Sequence, residues 1–225
     1  MSKIVILGAG ISGHTAAAHL RRKLGKEHEV LVVSPNRNYQ WVPSNIWVGI
    51  GRMKSKEVIF PLEPLYKRKG IGYKQAKAVS FHPEGDSSEA KPYILVEGVF
   101  GDNLGKQEKV TYDYLINATG PKLAFDMTEG LQPATNKVYS VCTYDHAEHA
   151  SEALHKLIDQ LKKSDKKSKI LIGTGHAKAT CQGAAFEYIL NVEKELQKFG
   201  VRDKAEITWI SNEYELGDFG MDGML

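Results

Sequence analysis

Three glycines near the start of the chain have the spacing G-x-G-x-x-G, at positions 8, 10 and 13. In this spacing the first glycine allows a tight turn, the second lets a pyrophosphate approach the backbone, and the third brings a helix against a strand. The N-terminus of that helix supplies N–H donors and a partial positive charge. We therefore predict that Gly8, Gly10 and Gly13 bind the pyrophosphate of a dinucleotide.

Two cysteines, Cys142 and Cys181, are the other residues whose type suggests chemistry. They lack C-x-x-C spacing and a histidine cluster, so we predict no metal site. Cys181 follows a second glycine pair at 173 and 175 and precedes a helical pattern. Because the positive end of a helix favours the nucleophilic thiolate, we predict that Cys181 is a reactive sulfur. Without that context, a buried structural cysteine would be the favoured interpretation.

The hydrophobic pattern predicts the elements that position the first glycine motif. An apolar run at 3–7, a helical pattern at 11–24 and a second apolar run at 30–33 together predict a βαβ unit. The second strand ends in Ser34 and Asn36, where dinucleotide folds usually carry an acidic residue for the ribose hydroxyls. These two side chains can still hydrogen-bond a ribose. We expect residues 34–65 to be largely irregular, with a short helix.

The rest of the chain predicts an antiparallel excursion, that is, a group of antiparallel strands inserted in the domain. A second strand, glycine turn, helix and strand follow, as at the start of the chain. The predicted elements are strands at 72–81, 93–100 and 110–118, a helix at 144–163, a strand and glycine turn at 170–175, a helix at 182–199 and a strand at 206–210. We therefore predict an α/β fold with one nearly complete dinucleotide-type domain at residues 1–135 and the first part of another at residues 136–225.

Composition restricts the class of protein. The 225 residues are 42% hydrophobic and 25% charged, which is typical of a globular domain. A formal net charge of +3 does not indicate a nucleic-acid partner. The longest apolar runs fall well short of the about 18 residues that span a bilayer, and the start of the chain does not resemble a signal peptide. The sequence alone therefore predicts a cytoplasmic protein without a transmembrane helix.

Several motifs together resemble one family, the sulfide:quinone oxidoreductases. This family belongs to a flavoprotein superfamily with two dinucleotide folds, which also contains disulfide reductases and type 2 NADH dehydrogenases. The order of GxGxxG, antiparallel excursion, Ala-Thr-Gly strand end and second GxG resembles the superfamily. The stretches that resemble the family itself are YQWVPSN at 39–45, SVCTYDHA at 140–147, TCQGAAFE at 180–187 and ELGDFG at 215–220. The resemblance covers the chain from end to end and implies tandem Rossmann-like FAD/NAD(P)-binding domains, the second incomplete, with FAD as the first nucleotide.

The resemblance also implies roles for particular residues. The residues implied to bind FAD are Gly8, Gly10 and Gly13 at the pyrophosphate, Ser34 with neighbouring Asn36 at the ribose, the backbone around Ala78 at the adenine, and Pro43, Thr119 and Gly120 on the flavin side. Cys181 is implied to be a redox cysteine beside the flavin, paired with a cysteine that these 225 residues do not contain. Cys142 is implied to assist sulfur transfer, and His146 and Glu187 to handle protons. For these last three residues a plain structural role remains an equal alternative.

The activity implied by the resemblance is the flavin-dependent oxidation of sulfide to polysulfide or elemental sulfur, with a quinone as electron acceptor. It implies peripheral attachment to the cytoplasmic side of a membrane through a region absent from these residues, and it is compatible with a homo-oligomer. The enzymatic alternatives are a type 2 NADH dehydrogenase, for which Glu213 and Glu215 are candidate ribose ligands, and a flavocytochrome-type sulfide dehydrogenase. A flavin-binding fragment without turnover is the non-enzymatic alternative.

Overall fold

A computed structural model describes residues 1–132, 138–176, 179 and 181–213. The chain divides into two compact units, one formed by Met1–Gln40 and Ile59–Lys122 and the other by Trp41–Val58 and Leu123–Leu225. This division begins the second unit ahead of the predicted domain boundary at residue 135. It also assigns to the second unit a segment that lies within the first predicted domain.

The described residues contain ten strands and six α-helices. The strands are β1 (Lys3–Leu7), β2 (Glu29–Ser34), β3 (Asn38–Gln40), β4 (Ile59–Pro61), β5 (Gly72–His82), β6 (Tyr93–Gly98), β7 (Gln107–Thr111), β8 (Tyr114–Asn117), β9 (Ser168–Gly173) and β10 (Ala205–Ile210). The helices are α1 (Ile11–Lys23), α2 (Asn45–Gly49), α3 (Ser55–Val58), α4 (Leu62–Lys69), α5 (Tyr144–Lys162) and α6 (Gln182–Lys198). Short 3-10 turns occur at Val42–Ser44, Gly101–Asn103, Phe125–Met127 and Arg202–Lys204.

The first unit is built on a six-stranded sheet with the order β7-β6-β5-β2-β1-β8. Strand β1 pairs in parallel with β2 and β8, β2 pairs in parallel with β5, and β5, β6 and β7 form the predicted antiparallel excursion. Ile4 and Ile6 belong to a core with residues of α1 and α4, whereas Val5 and Leu7 pack with residues of β6 and β7. Because β1 is covered on both faces, its sequence is a continuous apolar run.

The single strand predicted at 110–118 is wrong, because the structure forms two strands there. Strand β7 pairs antiparallel with β6, whereas β8 pairs parallel with β1, so the two strands lie at opposite edges of the sheet. Between them, the N–H of Asp113 donates to the Lys3 carbonyl at 2.9 Å. The hydrophobic pattern of residues 110–118 does not reveal that the chain changes its pairing partner there.

The segment 34–65 is more regular than predicted. Strands β3 and β4 pair antiparallel, with Tyr39 opposite Phe60, and α2 and α3 lie between them in the chain. The N–H of Trp41 donates to the Val58 carbonyl at 2.7 Å, which closes this excursion at its base. The elements are too short for a helical or strand period to be recognised from sequence.

The second unit contains the βαβ unit predicted after the second glycine pair. Strands β9 and β10 pair in parallel, and α5 and α6 contribute to their core. The helix predicted at 144–163 is confirmed as α5, and one face of it is buried through Ala147, Ala150, Leu154, Ile158 and Leu161, with Leu157 partly buried. The strand predicted at 170–175 is present as β9, but alternate residues of β9 are exposed, and Leu171 retains 64% of its accessible surface.

Candidate functional site

The first glycine turn lies where β1, β2 and β8 end. Gly8 donates its N–H to the Val33 carbonyl at 2.8 Å, and Ala118 donates its N–H to the Leu7 carbonyl at 2.8 Å. Gly8 has a φ of +93°, and a Cβ there would lie 2.2 Å from the Ala118 carbonyl oxygen. Both the backbone conformation and the close approach of β8 therefore require glycine.

The other two glycines of the turn differ in what surrounds them. A Cβ at Gly13 would lie 2.0 Å from the Gly8 carbonyl oxygen, so Gly13 lets α1 pack against the turn. A Cβ at Gly10, the N-cap of α1, would meet no atom within 4 Å. Open space thus lies in front of a helix N-terminus, where the backbone N–H groups suit an anion. This arrangement fits the pyrophosphate of a dinucleotide.

The predicted ribose residues follow β2. Ser34 is only 1% exposed, and its Oγ accepts a hydrogen bond from the Asn36 N–H at 3.3 Å. The Tyr73 hydroxyl donates to the Asn36 carbonyl at 2.6 Å, which fixes the backbone there. The Asn36 side chain is exposed and makes no contact recorded among the described residues. Asn36 is therefore more available to a ribose than Ser34.

Thr119 and Gly120 continue from β8 beside the glycine turn. The Asn117 side-chain oxygen accepts from the Thr119 N–H at 3.3 Å and from the Thr119 hydroxyl at 2.9 Å. The Cα of Thr119 lies 3.0 Å from the position of a Gly8 Cβ, and Gly120 has a φ of +70°. Ala78 instead lies within β5, paired with Val96 next to a register shift. Its proposed contact with adenine stays a prediction.

Cys181 is the N-cap of α6, which confirms the predicted helix start. Both cysteines are free and exposed. The Cys181 side chain makes no capping hydrogen bond, so its sulfur stands at the positive end of a 17-residue helix without being used by the fold. An exposed cysteine sulfur in this position is accessible to thiol–disulfide exchange.

The second glycine turn is tied to the start of α6 by residues that the sequence did not single out. A Cβ at Gly173 would lie 1.7 Å from the Ile210 carbonyl oxygen, which accepts from the Thr174 N–H at 3.0 Å. The Asn212 side-chain oxygen accepts from the Gln182 amide at 2.5 Å and from the Thr174 hydroxyl at 3.3 Å. The one sequence signal was a polar residue, Gln182, directly after the N-cap, but its burial could not be inferred.

Three segments that carry predicted site residues meet at Gly49, namely the segment of Pro43, the segment of Cys142 and helix α6. Pro43 lies in the 3-10 turn that leads into α2, and Gly49 ends α2. A Cβ at Gly49 would lie 2.8 Å from Val141, the neighbour of Cys142, and 3.0 Å from the Tyr188 ring of α6. The Tyr188 hydroxyl donates to the Gly49 carbonyl at 3.0 Å, and burial raises the pKa of Tyr188, so the hydroxyl remains a donor. The segment with Pro43 thus packs against both cysteine-bearing segments.

An ion pair between Arg52 and the buried carboxylate of Glu195 makes a second link between this segment and α6. Glu195 is 1% exposed, and its carboxylate accepts a hydrogen bond from Arg52 Nε. Lys198 lies 3.7 Å from the same carboxylate. Neither Arg52 nor Glu195 was predicted from sequence, because the two residues are distant in the chain and each resembles an ordinary surface charge.

The remaining predicted site residues are placed as follows. Cys142 lies two residues before α5, not on the helix that carries His146, because α5 begins at Tyr144. Its N–H donates to Ser140 Oγ at 3.1 Å. The His146 ring contacts Phe125 edge-on, with 5.3 Å between centroids, and its Nδ1 is buried without a hydrogen-bond partner among the described residues. Glu187 is exposed on α6.

Part of the predicted site lies outside the described residues. This applies to the stretch ELGDFG at 215–220, with the candidate Glu215, and to Thr180 beside Cys181. Of the NADH candidates, Glu213 is described, and its N–H donates to Ser211 Oγ at 3.0 Å. The described residues contain no group of three or more metal-ligating side chains, and none of their helices has the length and apolar character needed to cross a membrane.

The βαβ units and glycine turns define a class of protein. The sequence matches the family Pyridine nucleotide-disulphide oxidoreductase over residues 2–186, and the chain belongs to this family. Membership confirms the predicted Rossmann-like fold and, at the level of the family, FAD as the cofactor.

Individual relatives show which kinds of enzyme this chain resembles. The chain is 29% identical over 221 residues to a sulfide-quinone reductase of Aquifex aeolicus, covering 98% of this chain and 45% of that protein. The crystal structure of the sulfide:quinone oxidoreductase from Aquifex aeolicus matches with a TM-score of 0.78 at 27% identity, over 99% of this chain and 46% of the other. A type II NADH:quinone oxidoreductase of Haemophilus influenzae is 28% identical over 161 residues, covering 71% of this chain and 34% of that protein. The chain thus spans less than half the length of these relatives.

Proposed function

We propose that this protein oxidises sulfide with FAD as cofactor and a quinone as electron acceptor. The observation that carries the proposal is the position of Cys181, a free and exposed thiol at the N-terminus of a helix that packs on the segment of Pro43. The similarity to a sulfide-quinone reductase over 98% of the chain supports it.

In this proposal the first unit binds the dinucleotide part of FAD. The open space at Gly10 and the N-terminus of α1 accommodate the pyrophosphate, and Ser34 and Asn36 meet the ribose. Thr119 and Gly120 of the first unit are proposed as flavin-side residues, and so, in the second unit, is Pro43. When bound, FAD supplies two-electron redox chemistry, accepting electrons from sulfur and delivering them to the quinone.

Cys181 performs the sulfur chemistry. Hydrosulfide attacks a disulfide or persulfide that includes Cys181, so a new sulfur–sulfur bond forms while the old one breaks and releases a thiolate. Joining the persulfide and the released thiolate in a new sulfur–sulfur bond removes two electrons, which FAD would accept, and repetition lengthens a sulfur chain toward polysulfide or elemental sulfur. Cys181 performs this exchange at the N-terminus of α6, and Cys142 and His146 assist sulfur and proton transfer.

Because quinones reside in membranes, we propose that the protein acts peripherally on the cytoplasmic side of a membrane. Exposed apolar side chains occur on the second unit, among them Trp41 and Val42 beside Pro43. Such side chains are compatible with an apolar acceptor, since quinones require an apolar surface for docking.

A second candidate is a type II NADH:quinone oxidoreductase. The observation that favours it is the second glycine turn, in which β9, α6 and β10 retain the strand–turn–helix–strand arrangement of a dinucleotide site. In this case Glu213 would be a candidate ribose ligand, and Cys181 would have no part in the reaction.

Cysteine variants test the sulfur chemistry in the FAD-loaded protein. We expect Cys181→Ser to abolish bleaching of the flavin absorbance by sulfide under anaerobic conditions, because serine keeps the size but not the nucleophilic sulfur. Cys142→Ser is the matched control and should retain part of the bleaching. Unchanged bleaching in Cys181→Ser would exclude the mechanism, and complete loss in Cys142→Ser would show that its accessory role is wrong.

A further inference from the structure

A cavity of about 510 Å³ lies beside α1, on the part of the helix that follows the glycine turn. Thr15 and Ala18 are small lining residues that leave it open, and the other lining side chains are basic. The basic residues are His14, His19, Arg21, Arg22 and Lys69. Among the described residues, no carboxylate lines this cavity, which we call the α1 pocket.

The cations around the α1 pocket are not neutralised by the fold. The last turns of α1 and α4 carry the six cations Arg21, Arg22, Lys23, Lys67, Arg68 and Lys69. No ion pair joins any of these six to an acid within the described part of the chain. Cations at helix C-termini complement the helix dipole. That effect does not require three of them to line one cavity.

The cations of the α1 pocket differ in their availability. Arg21 is used by the fold, since its guanidinium donates to the carbonyls of His28 at 2.8 Å and Leu24 at 3.1 Å, and also to that of Gly25. Arg22 contacts only His19 Nδ1, at 3.0 Å, among the described residues. Lys69 is exposed and has no recorded hydrogen-bond or ion-pair partner in that same set. Arg22 and Lys69 are therefore free to receive an anion.

His14 provides a neutral donor in the same cavity. Its Nδ1 lies 3.2 Å from the Tyr66 hydroxyl, and its ring packs against the rings of Tyr39 and Phe60. Burial raises the pKa of Tyr66, so this hydroxyl stays protonated and can donate to Nδ1. When Tyr66 donates to Nδ1, the neutral imidazole carries its proton on Nε2, which makes no hydrogen bond within the described part of the chain.

We propose that the α1 pocket binds a phosphate-bearing anion, held by Arg22 and Lys69 with His14 Nε2 as an additional donor. An arginine fork and a lysine point charge are the side chains that recognise phosphate best. The volume of about 510 Å³ exceeds that of phosphate alone, which leaves room for the rest of a phosphorylated metabolite or of a phospholipid headgroup. The pocket lies along α1 from His14 to Arg22, whereas the FAD pyrophosphate is assigned to the N-terminus of that helix.

Binding of inorganic phosphate to the full chain tests the proposal, with FAD added to occupy the glycine turn. We expect saturable binding by calorimetry that Arg22→Gln/Lys69→Gln weakens by at least about tenfold, the loss typical of charge-assisted hydrogen bonds. Lys23→Gln/Lys67→Gln is the matched control, because it removes the same charge from the same two helix turns but outside the pocket lining. Binding should be unchanged in the control.

Vesicles distinguish the source of the phosphate. Anionic phosphatidylglycerol vesicles are compared with neutral phosphatidylcholine vesicles in co-sedimentation with the same variants. If the protein binds the anionic vesicles and only Arg22→Gln/Lys69→Gln loses this binding, the site takes a lipid headgroup. If the protein selectively binds inorganic phosphate and not the vesicles, the site takes a soluble ligand. Absence of saturable binding in both assays, or equal losses in the two double variants, would overturn the proposal.

The pKa of His14 provides a further test of anion binding in the α1 pocket. It would not respond to phosphate if Arg22 and Lys69 had only a structural role. Burial, and secondarily the charge of Lys69, hold the pKa of His14 below its ordinary value. A bound anion favours the imidazolium, so we expect phosphate to raise the pKa of His14, measured from its ring resonances by NMR. Saturable phosphate binding without any change at His14 would show that the anion binds elsewhere.

Discussion

The three glycines of the first turn serve three different physical purposes. Gly8 supplies a positive φ beside the β8 carbonyl, Gly13 lets the helix approach the turn, and Gly10 leaves space that no protein atom fills. Only the last of these has no function in the fold itself. The spacing of the motif predicts a dinucleotide, but the spacing does not separate the structural glycines from the binding glycine.

Substitution of Gly10 should separate binding from folding. In Gly10→Ala the new methyl group meets no protein atom, so we expect an unchanged melting temperature without FAD and FAD affinity at least about tenfold weaker. Gly13→Ala is the comparison variant, because its Cβ would collide with the Gly8 carbonyl and should lower the melting temperature itself. Full FAD affinity in Gly10→Ala would mean that the pyrophosphate lies elsewhere.

Because the pKa of Tyr73 is raised in the folded chain, we expect the protein to lose stability at alkaline pH. Burial, and secondarily the charge of Glu63, raise the pKa of Tyr73 from its ordinary value of 10.0 to about 12 in the folded chain. The folded state therefore favours the protonated hydroxyl, so its stabilising contribution is complete below about pH 10 and is lost as the pH rises toward 12. Urea denaturation of wild type and Tyr73→Phe at about pH 9 and about pH 11 measures this loss. A decline of equal size in the two proteins would contradict the assignment.

Among the helices and strands, sequence patterns correctly predicted those that depend mainly on interactions between residues close in the chain. Strand β1, helix α1 and strand β2 were predicted closely, because a continuous apolar run and a glycine turn depend on few neighbours. The break between β7 and β8 was not predicted, because it depends on which distant strand each half joins. The packing of Gly49 against Val141 and Tyr188 was also not predicted, since it joins segments far apart in the chain.

The Arg52–Glu195 pair should be essential to the second unit. We expect Arg52→Met to lower the free energy of unfolding by about 3 kcal/mol, because the buried Glu195 carboxylate would lose its hydrogen-bonded partner. Lys74→Met, which removes one partner of the exposed Lys74–Glu108 pair, is the control and should cost less than about 1 kcal/mol. Urea denaturation measures both values.

The double variant Arg52→Met/Glu195→Leu shows whether the loss comes from the buried carboxylate that no longer has Arg52 as its hydrogen-bond partner. Replacing both partners by apolar side chains removes the buried carboxylate, so most of the stability should return. If the double variant were no more stable than Arg52→Met, the carboxylate would not be the cause of the loss.

At the level of the whole molecule, residues with different predicted roles belong to different units. The glycine turn assigned to the FAD pyrophosphate belongs to the first unit, and Pro43, Cys142 and Cys181 belong to the second. The sequence predicted the position of Cys181 at a helix start, because a glycine pair and a helical pattern flank it. The sequence did not predict that the segment with Pro43 belongs to the same unit as the two cysteines. This grouping depends on contacts at Gly49 between residues far apart in the chain, and such contacts produce no recognisable sequence pattern.

The spectrum of the FAD-loaded protein under anaerobic conditions tests the central claim most directly. We expect added sulfide to bleach the flavin absorbance and added NADH to leave it unchanged, because Cys181 provides a route for electrons from sulfur. Bleaching by NADH and not by sulfide would contradict the account and assign the protein to the NADH:quinone oxidoreductases.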